Sequence, residues 1–131
     1  MKILTFHFGE IEFEPEKIIY FKNGLFGFED YHKFLLIRVE NSIYHWLNSI
    51  EDAEVAFPLI NLDVLDDQYP HDNSTDVFGL VTLNSDPLKV TVNMKAPVYI
   101  NRDNNAGYQK ILDEERYLLN YKLFSKVEEA G

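Results

Sequence analysis

Cysteine is absent from this 131-residue chain, which excludes a disulfide framework, a thiolate metal site and a cysteine nucleophile, and is compatible with a reducing compartment. Lysine and arginine are absent from one long stretch. None occurs from Val39 to Leu88, although that stretch holds Glu40, Glu51, Asp52, Glu54, Asp63, Asp66, Asp67, Asp72, Asp76 and Asp86. Elsewhere acids and bases balance, so the formal net charge of -10 belongs to this segment. A field of that kind favours a basic partner and repels phosphate backbones, and it also serves solubility. Also missing is any apolar run of the roughly 18 residues a membrane-spanning helix needs. Met1 to His7 carries one basic residue and meets Glu10 before an apolar run can develop, unlike a signal peptide. The expectation is a cytoplasmic protein that contacts neither membrane nor nucleic acid directly.

What is abundant is aromatic: ten Phe and eight Tyr suit strands better than helices. The runs Ile3–Phe8 and Glu10–Phe13, separated by Gly9, read as a hairpin, and Ile18–Phe21 as a further short strand. Asn23-Gly24 opens a loop, Gly24 to Asp30, in which Gly24 and Gly27 flank aromatics. Phe34–Val39 and Ile43–Ile50 read as a strand pair. Val55–Leu62 is a third strand, and Pro58 within it argues for an edge or a bulge. Asp63 to Asp76 lacks any apolar period and is expected to be the longest loop. Strands resume at Val77–Leu83 and at Leu88–Met94, where apolar and polar residues alternate strictly until Pro97 breaks the run. Phe78, Leu80, Val81 and Leu83 cannot all face one side of an open sheet. These patterns predict an all-β fold: one antiparallel small barrel or two-sheet sandwich, with short strands and at most one or two short helical turns, over residues 1–124. Residues 125–131 are expected to be a frayed tail.

Signatures of catalysis fail. There is no Gly-Xaa-Ser-Xaa-Gly elbow, no paired-histidine zinc helix and no phosphate loop. His7, His32, His45 and His71 are scattered. The oxygen-rich stretch Asp63, Asp66, Asp67, His71, Asp72 and Asp76 is the one metal candidate, and its spacing does not match a calcium loop. A metal-binding β-barrel enzyme, or some other acidic interaction module, stands as the alternative to a binding protein without cofactor. Gly24-Leu25-Phe26-Gly27 fits a Gly-Xaa-Xaa-Gly nucleic-acid clamp in letters only, since it lies among strands in an acidic chain. Asn48 and Asn93 are unusual strand residues unless hydrogen-bonded or exposed to a partner.

Three segments, taken in order, resemble the flagellar assembly factor FliW family. They are Asn23-Gly24-Leu25-Phe26-Gly27-Phe28-Glu29, the stretch from Trp46 to Pro58 with Leu47-Asn48-Ser49 and Ala56-Phe57-Pro58, and Thr91-Val92-Asn93-Met94-Lys95-Ala96-Pro97 running to Asn101. Phe26 stands where the family pattern has proline and Asn48 where it has glutamine. The resemblance implies a compact β-barrel without catalytic activity that acts by partner exchange: it binds flagellin in the cytoplasm and, when flagellin is exported, binds CsrA, an RNA-binding translational repressor, relieving repression of flagellin synthesis. The residues then expected to meet partners are Asn48, Glu51, Asp52, Glu54, Asp63, Asp66, Asp67, Asp72, Asp76, Asn93 and Lys95. Gly24, Gly27, Phe28, Phe57, Pro58, Ala96 and Pro97 are read as motif residues that shape turns and core.

Overall fold

The computed structural model describes residues 1–124; the expected frayed tail lies outside the described residues. Ten strands form in the order β1 (Lys2–Thr5), β2 (Gly9–Glu12), β3 (Ile19–Phe21), β4 (Lys33–Arg38), β5 (Tyr44–Ser49), β6 (Ala56–Asn61), β7 (Thr75–Thr82), β8 (Thr91–Asn101), β9 (Ala106–Gln109) and β10 (Tyr121–Lys122). One four-residue helical turn, α1 (Leu62–Leu65), and two 3-10 turns, Pro15–Lys17 and Pro87–Lys89, complete the regular structure. Among the described residues no helix is long and apolar enough to cross a membrane.

Strands β3 to β9 follow one another around a closed seven-stranded barrel, and β8 completes the ring by pairing with β9. All neighbouring strands are antiparallel except β3 and β9, which pair in parallel through Tyr20–Ala106 and Phe21–Gly107. The hairpin β1–β2 forms a separate small sheet against the outside.

Alternation along the strands explains why they are apolar on both faces. On β7, Phe78 and Leu80 point into the barrel with Phe21, Phe34, Leu47, Leu59 and Val98, whereas Val77 and Val81 point outward. That outer face is covered by Leu62 and Tyr69 from the β6–β7 connection and by Tyr117 from the carboxy-terminal segment. A second outer layer, Phe13, Ile18 and Leu35 with Ile3 and Ile37 at its margin, lies beneath the hairpin. One barrel interior and two outer layers together use both faces of the strands.

Several expectations are corrected in detail. Strand β6 is not an edge strand, since β5 and β7 flank it. Its pairing with β7 begins only at Leu59, however, so at Pro58 the strand is paired on one side alone and its missing donor is tolerated. Leu88 and Lys89 belong to a 3-10 turn, and the ladder starts at Thr91. Pro97 does not end the strand, because β8 continues to Asn101. The Asp63–Asp76 stretch opens with α1, capped by Asn61, whose side chain accepts from the Asp63 N–H at 2.9 Å.

Candidate partner-binding site

The third sequence motif forms a large bulge in β8. Phe78 of β7 faces Val98, and Leu80 faces Asn93, so Gly79 alone opposes the four residues Met94 to Pro97. A Cβ at Gly79 would sit 2.9 Å from Leu62 Cδ2 and 3.2 Å from the Asn93 carbonyl, so a larger residue would have to push the Leu62 side chain aside. Polar groups expelled from the ladder find partners elsewhere. The Asn93 side chain accepts from the N–H groups of Lys95 (3.0 Å) and Ala96 (2.9 Å). Met94 N–H donates to Leu118 O, and the buried Tyr69 hydroxyl donates to Met94 O. Lys95 O accepts from Leu112 N–H, Ala96 O from the Gln109 amide, and Pro97 O from Lys110 N–H. Asn93 is therefore a structural residue whose amide is spent inside the bulge, which meets the hydrogen-bonding condition for an asparagine in a strand.

Gln109 joins this bulge to the first motif. Its amide nitrogen donates to Ala96 O at 2.9 Å, and its Oε1 accepts from Phe26 N–H at 2.9 Å. A proline at position 26 has no N–H to give, so this link depends on the chain's departure from the family pattern. The loop itself is a tight turn, with Phe28 N–H donating to Leu25 O and Gly24 at φ 65°. A Cβ on Gly24 would stand 2.7 Å from the Phe28 carbonyl oxygen. Phe26 is 50% exposed, and together with Leu80, Ala96, Ile111 and Leu119 it lines an apolar groove of about 360 Å³ with Lys95 also on its wall.

The second motif meets the first through aromatic rings. Phe28 packs edge-on against Phe57, centroids 4.8 Å apart, and stacks on Tyr31, whose hydroxyl donates to Asp52 at 3.2 Å. Phe28, expected in the core, is 40% exposed. Asn48 is 1% exposed; its amide nitrogen donates to Ser49 O and Ala53 O, so it shapes the β5–β6 turn and presents no surface. Glu51 accepts from the N–H groups of His32 and Lys33, which hold its carboxyl below its ordinary pKa. Asp52 also accepts from Glu54 N–H. Glu54 is exposed.

The acidic segment does not form one face. Antiparallel succession puts the β5–β6 turn, with Glu51, Asp52 and Glu54, and the β7–β8 turn, with Asp86, at one end of the barrel. Glu40 and the β6–β7 connection, with Asp63, Asp66, Asp67 and Asp72, lie at the other. Several of these carboxylates are engaged: Asp63 accepts from His71 Nε2 at 2.8 Å, and Asp76, at the start of β7, is ion-paired with Arg102. Asp72 accepts from the Thr75 and Ser74 hydroxyls, which lower its pKa. His71 faces acceptors on both nitrogens, since Nδ1 lies 2.9 Å from Asp72 O and 3.0 Å from Thr75 O. Burial pulls its pKa down, but the Asp72 carbonyl and the Asp63 carboxylate outweigh this and leave it raised. Asp66 caps α1, and Asp67 is exposed. Among the described residues, no group of three or more His, Cys, Asp or Glu stands placed to hold a metal ion.

Sequence reasoning missed Tyr69 and Leu119; Gln109 and Ile111 follow the third family segment in the resemblance, but nothing in the sequence assigned them to a site.

The fold is thus a closed β-barrel whose three motifs meet at turns, a bulge and an apolar groove. The family model described as FliW protein matches residues 2–123. The chain belongs to the FliW family. It is 34% identical to the flagellar assembly factor FliW of Thermoanaerobacter pseudethanolicus, over 99% of this chain and 97% of that one. With the same factor of Caldicellulosiruptor saccharolyticus it shares 36% identity, over 92% and 88% respectively. A crystal structure of the flagellar assembly factor FliW superposes with a TM-score of 0.87 at 25% identity, covering 96% of this chain and 99% of that one.

Proposed function

We propose that this protein is a cytoplasmic, non-enzymatic flagellar assembly factor that binds flagellin as a chaperone and, once flagellin is exported, binds and antagonises a CsrA-like translational repressor. Family membership supports the flagellar role. The observation that carries the binding mode is the convergence of the Gly24–Phe28 loop and the Asn93–Pro97 bulge, tied by Gln109, around a groove with exposed Phe26, Ile111 and Leu119. That groove suits apolar side chains of flagellin. A repressor that holds RNA must itself be basic, and the Asp63–Asp72 connection offers carboxylates to such a surface. The two surfaces are distinct but adjoin, because Tyr69 of the acidic connection donates to the Met94 carbonyl in the bulge and shares a core cluster with Leu62 and Met94. Partner exchange then runs through an overlapping or a coupled site, with Tyr69 as the link in the coupled case.

Reversing the charges with Asp66→Lys and Asp67→Lys should slow association with the repressor and flatten its salt dependence. Unchanged association across a salt series would remove the electrostatic half of the proposal. Affinity purification from the native cytoplasm followed by mass spectrometry tests the whole: recovery of neither flagellin nor a CsrA-like protein sinks it.

A further inference from the structure

A second groove, of about 620 Å³, lies between the amino-terminal hairpin and strands β3 and β4 and is lined by Ile11, Phe13, Ile19, Leu35 and Ile37, with Glu12, Glu14 and Lys17 also on its walls. Its walls are strand edges. Strand β3 pairs with β4 only at Lys33 and Phe34, because the chain before it turns away at Pro15 into a 3-10 turn. From Leu35 to Arg38, β4 has β5 on one side and no strand on the other. Ladder alternation identifies the groups left open. Ile50 N–H donates to Lys33 O across β4–β5, and Ser49 N–H donates away from β4 to Val55 O. Lys33, Leu35 and Ile37 therefore bond β5, while Leu36 and Arg38 turn their N–H and C=O outward. The hairpin mirrors this. Met1 and Phe13 exchange both backbone bonds, so Glu12, one residue on, points its N–H and C=O away from β1 toward the groove.

We propose that this groove is a strand-addition site for an extended peptide segment of a partner protein in which apolar residues alternate with basic ones. The open backbone groups of Leu36, Arg38 and Glu12 supply ladder bonds, and alternate apolar side chains pack against Ile11, Phe13 and Ile37. Charge decides the occupant. Glu10, Glu12, Glu14 and Glu16 alternate along this segment, and of the four only Glu10 has an ion-pair partner among the described residues, Lys2 at 3.4 Å. A second copy of the chain would bring its own glutamates against these, the like-charge arrangement by which free edges resist self-pairing. A lysine- or arginine-bearing strand meets an excess of acid, Glu12, Glu14 and Glu16 against Lys17 and Arg38. The site shares no lining residue with the Phe26 groove.

The probe is the synthetic hexapeptide acetyl-Lys-Val-Lys-Ile-Lys-Val-amide, titrated into the isotope-labelled full chain and followed by amide NMR. The expected result is a shift confined to Glu12, Leu36, Arg38 and their neighbours. Affinity should fall about tenfold or more in the Glu12→Lys, Glu14→Lys double variant, whose substitutions are exposed and whose fold is checked by circular dichroism. Peptide N-methylated at alternate residues should bind no better than background, because it cannot extend the ladder. Equal binding by the N-methylated peptide, shifts centred on Phe26 and Ile111, or self-association of the chain through the same amides would each overturn the proposal. Because no natural partner is present, these outcomes leave the flagellin and repressor reading to its own test.

Discussion

Replacing Asn93 by alanine removes the one side chain that holds the β8 bulge from within. Two backbone donors, Lys95 N–H and Ala96 N–H, then lose acceptors at 3.0 and 2.9 Å in a partly buried setting. At roughly 1–1.5 kcal/mol for each lost bond, the variant should be about 2–3 kcal/mol less stable. For a chain of this size that corresponds to a fall in Tm of very roughly 6–15 °C. Urea unfolding followed by the fluorescence of Trp46, the only tryptophan, should show a lower midpoint with an unchanged slope. Asn93→Asp keeps an acceptor oxygen and should lose less than half as much. Stability of Asn93→Ala within about 0.5 kcal/mol of the parent, the range of an ordinary surface change, would refute the reasoning. So would an Asn93→Asp variant that falls as far as the alanine.

His71 has its pKa raised in the folded chain, so its contribution to stability is complete below the unfolded value of 6.5 and is lost as pH rises through the folded value. Urea midpoints measured across that window should decline in the parent and decline less in His71→Ala; parallel curves would show that the ring is not the titrating group. Gly24→Ala places a Cβ at φ 65° against the Phe28 carbonyl, and calorimetry should find it destabilised by about 2 kcal/mol or more. Tyr69→Phe leaves the Met94 carbonyl without its donor. The expected cost is about 1–3 kcal/mol, together with weaker exclusion of one partner by the other in a competition assay; unaltered competition would remove the coupling role.

Strand positions were legible at Phe34–Val39 and Val77–Leu83 because both are short runs rich in apolar, strand-favouring residues and bounded by polar turn residues. Closure was legible more indirectly, from β7, where apolar residues on both faces demanded an inner and an outer layer. The bulge was not legible. Strict alternation from Leu88 to Met94 continues past the point where the ladder starts, and Pro97 looks like a terminator until the off-ladder partners Leu112, Leu118 and Gln109 are seen to replace its strand bonds. Those partners are distant in sequence, and although Gln109 and Leu112 trail the third family segment, nothing in their spacing shows which carbonyls they bond. The acidic segment misled for a related reason: continuity along the chain is not continuity in space, and each antiparallel reversal carries the next turn to the opposite end of the barrel. Asn48 and Asn93 were correctly singled out as strand residues requiring explanation. Both owe their place to the backbone groups they satisfy.

The parallel pairing of β3 with β9 also governs how the molecule comes into being. Tyr20 cannot meet Ala106 until nearly the whole chain has been synthesised, and the bulge waits for Leu112 and Leu118. Contacts this remote in sequence pay loop-closure entropy before they are rewarded, which places the protein among slow folders. On the ribosome the early strands β3 to β6 therefore emerge as an open sheet with two bare edges, and the ring shuts only after the last strands are released.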